Sequence, residues 1–159
     1  MIENLNDFVK LLSQGVYVIG VTDGTHENAF TAAWVMQVSF NPPLLALSIN
    51  PAYYSYQLLQ KGEAFSVNVL GDHQYTTAAH FGSSSADKMK GYAWQKDTTG
   101  APILSDALAY FDCKVRDTTP AGDHIIVIGE IISIGKLNPG KPLLYQQTDT
   151  MDNSKDLYA

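Results

Sequence analysis

Two short stretches of this 159-residue chain carry residue types suited to holding a flat, phosphate-bearing ligand. The first, Glu27-Asn28-Ala29-Phe30-Thr31-Ala32-Ala33-Trp34, leaves the polar turn Asp23-Gly24-Thr25-His26 and runs on toward the stop at Pro42-Pro43. A core strand usually alternates large apolar side chains. Here the chain is trimmed at Thr31-Ala32-Ala33, which lets backbone groups approach a planar molecule closely. Tight strand packing explains the same small residues. The second stretch, Asn50-Pro51-Ala52-Tyr53-Tyr54-Ser55-Tyr56, joins an apolar strand to an expected helix start. Unpaired N–H groups and the positive end of the helix dipole favour a phosphate there, with Ser55 as a further donor. Helix capping by Asn50 and Ser55 accounts for the same pattern.

The remaining reactive side chains are few. His124 follows Asp123 after a turn sequence, where a lone histidine commonly bonds backbone. His73 and His80 can share a helix face, but no carboxylate or third histidine completes a metal set, so no metal is expected. Cys113 lies among the apolar positions of its strand and reads as a small buried hydrophobe. G-x-G-x-x-G, G-x-x-x-x-G-K-[ST], G-x-S-x-G, H-E-x-x-H and Cys-x-x-Cys are all absent. A Rossmann dinucleotide site, a P-loop and most hydrolase, zinc-protease and thiol-redox chemistry are thereby unsupported.

The elements that must position these residues read as one domain, 1–159, with a loose or partner-packed polar tail over 148–159. Hydrophobic residues make up 45% of the chain, which fits a packed core rather than disorder. A formal charge of -6 argues against a nucleic-acid partner. No apolar run is long enough to span a bilayer, and Met1-Ile2-Glu3-Asn4 opens no secretory leader, so no membrane contact and a cytoplasmic location are expected. A single cysteine rules out an intrachain disulfide.

Leu5, Phe8, Val9 and Leu12 predict a short amphipathic helix stopped by Gly15. Gly15 to Thr22 is apolar on both faces, as a buried strand is. Leu44 to Ile49, Phe65 to Leu70, Leu108 to Arg116 and Ile125 to Ile134 supply four more strands. In the Leu108 strand, Tyr110, Asp112, Lys114 and Arg116 form an expected wet face. Pro120-Ala121-Gly122-Asp123 predicts a hairpin. Helices are expected over Pro51 to Lys61 and His73 to Phe81, stopped by Gly62 and Gly82. Many strands with few peripheral helices suggest a mainly β, antiparallel, closed or partly closed barrel. Ser83-Ser84-Ser85 and Thr98-Thr99-Gly100 bracket an irregular segment suited to folding over a ligand.

Several of these motifs, taken in order, resemble the flavin reductase-like, FMN-binding split-barrel family. They are the small-residue strand, Phe65-Ser66-Val67-Asn68-Val69-Leu70, Ala79-His80-Phe81-Gly82, Asp87-Lys88-Met89-Lys90-Gly91 with Trp94, Gly100-Ala101-Pro102-Ile103-Leu104, and Gly122-Asp123-His124 with Gly129-Glu130. The resemblance implies a Greek-key split β-barrel and hydride transfer from NADH or NADPH to FMN, with FAD an alternative. It places the ring along Thr31, Ala32, Ala33 and Trp34, with Ala33 standing where the family usually has Ser or Thr. It places the phosphate near Ser48, Ile49, Asn50, Ser55 and Tyr56, Tyr56 standing where a second polar residue is usual. His80, Phe81 and Gly82 fall in the cofactor-edge loop. Lys88 falls where the family's lysine reaches phosphate or ribityl groups, followed by Met89 in place of Phe. His124 falls where the nicotinamide stacks and is the expected catalytic residue, orienting more than moving a proton. A homodimer is implied. So are two rivals: tightly bound FMN relaying electrons to a rubredoxin or flavodiiron partner, and a non-catalytic flavin-binding protein.

Overall fold

The computed structural model describes residues 2–148, 151–152 and 156. In chain order these form α1 (Leu5–Val9), β1 (Tyr17–Thr22), β2 (Glu27–Ala32), β3 (Val35–Ser39), β4 (Leu44–Ile49), α2 (Tyr54–Gly62), β5 (Ala64–Val69), α3 (Tyr75–Phe81), β6 (Trp94–Gln95), β7 (Ile103–Leu104), β8 (Ala109–Ala121) and β9 (His124–Lys136), then a 3-10 turn at Tyr145–Thr148. Seven strands make one sheet in the order β2-β1-β5-β8-β9-β4-β3, and all its ladders are antiparallel. The two edges, β2 and β3, are separated in sequence only by Ala33 and Trp34. The sheet must therefore curl until its first and last strands meet at that link. Among the described residues no ladder joins β2 to β3, so no closed barrel is formed by hydrogen bonds.

Strand β1 is apolar on both sides because both sides are covered. Ile19 and Val21 pack with Phe30, Leu47, Ile49, Leu58, Phe65 and Val127. Val18 faces the other way, toward Ala78, Phe81, Leu104 and Leu143. That second cluster includes Leu104, at the end of segment 101–104, which is stitched down by buried polar groups. Ser66 Oγ donates to the Pro102 carbonyl at 2.5 Å, and Asn68 Oδ1 accepts the Leu104 N–H at 2.9 Å. The Asn68 amide donates to the Val18 carbonyl at 2.9 Å, so β1, β5 and β7 share one network. The β6–β7 pair has no counterpart in the sequence reading, because two-residue strands leave no periodicity.

Three boundaries moved for identifiable reasons. Helix α1 stops at Val9 rather than near Leu12: Leu5 and Val9 are half-buried, while Phe8, Leu11 and Leu12 are exposed and gain nothing from a longer helix. Helix α2 starts at Tyr54, after a turn in which Asn50 Oδ1 accepts the Ala52 N–H at 2.9 Å. Its left-handed cap falls on Glu63 (φ 53), not Gly62. A Cβ on Gly62 would lie 1.8 Å from the Thr22 carbonyl oxygen, so that glycine serves the close approach of α2 to β1. The hairpin between β8 and β9 turns on Gly122 and Asp123, with Gly122 at φ +63 and Ala121 opposite His124.

The expected wet face of β8 is corrected at Asp112, which has no exposure at all. Register shifts at Asp112/Cys113 and Val115/Asp117 break the alternation, and Thr99 packs over the carboxylate. The Thr99 N–H donates to Asp112 Oδ2 at 2.8 Å and its hydroxyl to Oδ1. Thr99, at the far end of the irregular segment that begins at Ser83-Ser84-Ser85, is thus pinned to the sheet.

Burial pushes the Asp112 carboxyl above its ordinary value, outweighing the Thr99 bonds that pull it down. A raised folded-state pKa means the native state binds the proton more tightly than the unfolded chain. Stability from this group is therefore present at low pH and lost as pH rises from about 4 through the folded value. Urea unfolding at several pH values should show that loss in the wild type. In Asp112→Asn, which keeps an acceptor for the Thr99 N–H, the dependence should flatten. Parallel pH curves for the two proteins would reject the assignment.

The tail expected over 148–159 is only partly described. Thr148 is buried and Met151 packs against the second cluster; residues 149–150, 153–155 and 157–159 lie outside the described part.

Candidate functional site

The end of β2, the start of α2 and the loop after α3 converge on one trough. Its first section, about 340 Å³, is lined by Phe30, Thr31, Tyr53, Ser55, Phe81, Gly82 and Ser83 to Ser85. Its second, about 500 Å³, is lined by Glu27 and residues 86–90. Asn28, Tyr54, Ser85 and Lys88 line both, so the two run into each other.

Local bonds hold these walls. Asn28 Nδ2 donates to Ser55 Oγ at 3.0 Å, tying β2 to the first turn of α2. Phe30 and Tyr53 meet edge to face with ring centroids 6.2 Å apart. Thr31 Oγ1 donates to the Ala78 carbonyl at 2.6 Å, so its hydroxyl proton is already committed to α3. The opposite wall is the loop from Gly82 to Lys88. Lys88 Nζ donates to the Phe81 carbonyl at 3.2 Å.

Lys88 is only 9% exposed, and burial pushes its ammonium below the usual lysine range. An ammonium has three donors, and among the described residues one is used. Among the described residues no carboxylate forms an ion pair with it. A buried cation with spare donors facing a groove is fitted to an anionic ligand.

A second cluster stands at the β2–β3 link. Trp34 and His124 have ring centroids 5.0 Å apart. His124 Nδ1 bonds Asp123 Oδ1 at 2.6 Å, and this contact is the main cause that holds the Asp123 carboxyl below its ordinary value. The Trp34 carbonyl accepts the Ser48 N–H at 3.0 Å, which fixes the link against β4. Thr31 and Trp34 are three residues apart, on the order of 10 Å in extended chain. That is the span of a fused three-ring heterocycle.

The residues singled out from sequence are thus distributed unevenly. Thr31, Ser55, Phe81, Gly82 and Lys88 line the trough. Ala32, Ala33, Trp34 and His124 lie along the link beyond it. Ser48 is half-buried on β4. Ile49 is a core side chain at 1% exposure, so only its backbone is available to a ligand. Asn50 spends its side-chain oxygen on the turn before α2. Tyr56 packs on the core, and its hydroxyl accepts the Gln60 amide at 3.1 Å. His80 turns its ring to the Lys88 carbonyl at 2.8 Å rather than to the trough. Sequence reasoning passed over Asn28, Phe30, Tyr53 and Tyr54 as lining residues; the tyrosine pair at a helix start was the available signal.

A family profile described as flavin reductase-like domain matches residues 9–153. The reductase subunit HsaB of a flavin-dependent monooxygenase from Mycobacterium tuberculosis is 32% identical over 147 residues, spanning 89% of this chain and 79% of its own length. NADH:riboflavin 5'-phosphate oxidoreductase from Streptomyces pristinaespiralis is 32% identical over 152 residues, 92% of this chain and 85% of that one. The solved structure of NADH:FAD oxidoreductase SgcE6 from Streptomyces globisporus, in complex with NAD and FAD fragments, superposes with a TM-score of 0.84 at 28% identity, covering 91% of this chain and 87% of that one. The profile match, which runs over residues 9–153 and so over nearly the whole length, makes this chain a member of the flavin reductase-like domain family.

Proposed function

We propose that the chain is a flavin reductase that holds FMN in the trough and passes reducing equivalents to it from NADH or NADPH. The observation that carries this reading is the buried Lys88 ammonium, with donors to spare, at the meeting point of the two sections. Lys88, Ser55 and Ser83 to Ser85 would hold the phosphate, and the backbone from Thr31 to Trp34 would lie along the ring. Bound there, the flavin supplies a hydride acceptor for a dihydronicotinamide. The protein's part is positioning, with preorganised backbone dipoles along the small-residue strand and a half-exposed rim at Trp34 and His124 where the nicotinamide docks. Asp123 holds Nδ1 of His124, which fixes the ring and leaves Nε2 to meet a substrate; we read its part as orienting that substrate. FAD remains an alternative, since the second section of the trough leaves room beyond the phosphate.

The curled sheet with its edges meeting at Ala33-Trp34 supports a split barrel. A homodimer is supported by an apolar strip on the edge strand and the turn after it: Met36 and Val38 on β3 and Phe40 just beyond are 64%, 40% and 90% exposed, and Ile132 and Ile134 on β9 are exposed too. An uncovered apolar edge invites strand-to-strand aggregation, and a second copy would cover it. None of the helices among the described residues is long and apolar enough to cross a membrane, and we read the protein as cytoplasmic.

Fluorescence titration should give saturable FMN binding at about one flavin per chain, a stoichiometry set by one trough per domain. Anaerobic NADH or NADPH should then bleach the flavin absorbance. Flavin that binds and is never reduced would favour a non-catalytic binding protein instead. Light scattering under the same conditions should give twice the chain mass. A value near 17.4 kDa with flavin bound would reject the dimer.

A further inference from the structure

We propose that His80 is a positioning residue for the flavin phosphate: its ring N–H grips the Lys88 carbonyl and so presents the Lys88 ammonium to the trough. The role rests on the flavin reading above. A carbonyl oxygen only accepts, so Nε2 carries the proton in the 2.8 Å contact between His80 and Lys88. The imidazole has little freedom to leave. Phe81 meets it edge-on with centroids 4.8 Å apart, and Tyr92 lies 4.9 Å away on a tilted plane.

Lys88 answers from its other end, its ammonium donating to the Phe81 carbonyl at 3.2 Å. The segment from His80 to Lys88 is therefore closed by two reciprocal bonds, each from a side chain at one end to backbone at the other. Ser83 Oγ adds a third bond, to the His80 carbonyl at 2.8 Å. Inside this clasp lie the serines that line the first section of the trough. A lysine on a free loop loses much side-chain freedom when it meets an anion. Here that ordering is complete before the ligand arrives, which is how preorganisation raises affinity.

The test compares FMN with riboflavin, which shares the ring and lacks the phosphate. In His80→Ala the preference for FMN should fall roughly 5- to 10-fold, the scale of one hydrogen bond lost behind a charged contact, with riboflavin affinity unchanged. His80→Gln carries an amide N–H to a similar place and should recover the preference to within about twofold. In a Lys88→Met background, His80→Ala should change nothing further, since both act through one contact. A flavin-free readout runs beside these: acylation of the Lys88 amine, followed by mass spectrometry, should speed up about 5-fold in His80→Ala and slow again in His80→Gln. Unchanged preference and unchanged acylation in a folded His80→Ala would overturn the proposal. So would equal losses for FMN and riboflavin, or additive losses in the double variant. A wild type that binds neither flavin would reject the flavin reading alone, and the acylation arm would still decide the clasp.

Discussion

Gly20→Ala should cost the protein about 3 kcal/mol or more and leave much of it insoluble on expression, the scale of forced overpacking against backbone. Gly20 lies in the middle of β1, paired with Ala29 on one side and Ser66 on the other. A Cβ there would sit 1.9 Å from the Pro102 carbonyl oxygen and 2.6 Å from Ser66 Oγ. Those two atoms are bonded to each other at 2.5 Å, so neither can retreat without breaking the stitch that holds segment 101–104 to the sheet. No rotamer change relieves a clash with main chain. Moving the segment would also pull Leu104 from Asn68 and open the cluster around Phe81, one wall of the trough. Thermal unfolding of the soluble fraction checks this. A variant within about 1 kcal/mol of wild type would mean that the segment shifts freely, and that its polar stitches contribute little.

His124→Ala should slow reduction of bound flavin by roughly 10- to 100-fold, equivalent to one positioning contact of ~1.4–2.7 kcal/mol. FMN affinity should stay nearly the same, because Lys88, Ser55 and the serine loop are on other elements. The histidine sits where the two-residue hairpin turn hands the chain to β9, with its ring beside Trp34 and Nδ1 held by Asp123. Stopped-flow reduction over about pH 6 to 9 separates orientation from proton transfer. A general acid or base gives the wild-type rate a pH dependence that the variant lacks. An orienting residue lowers the rate at every pH alike. Reduction at wild-type speed in the variant would return His124 to the status of a turn residue.

Strands whose signal is local were legible in the chain. Leu44–Ile49 was read to the residue, and the β8–β9 hairpin followed from Pro120-Ala121-Gly122-Asp123, because turn chemistry and alternation act over a few neighbours. The two-sided burial of β1 was also written in its unbroken apolar run. The motif order carried the family, and with it the expectation that Thr31, Ser55, Phe81, Gly82 and Lys88 share a surface. Which atoms face that surface was decided elsewhere. Asp112 alternates like a solvent-facing residue, yet two bulges and Thr99, thirteen positions away, bury it. Gly62 looks like a helix stop and is instead a contact with Thr22, from a strand forty residues earlier. His80 and Lys88 both read as cofactor contacts; only the closed loop shows one holding the other in place. Periodicity and turn residues depend on near neighbours and survive in one dimension. Register shifts, close backbone approaches and reciprocal bonds depend on which distant segments meet, and only the folded chain brings those together.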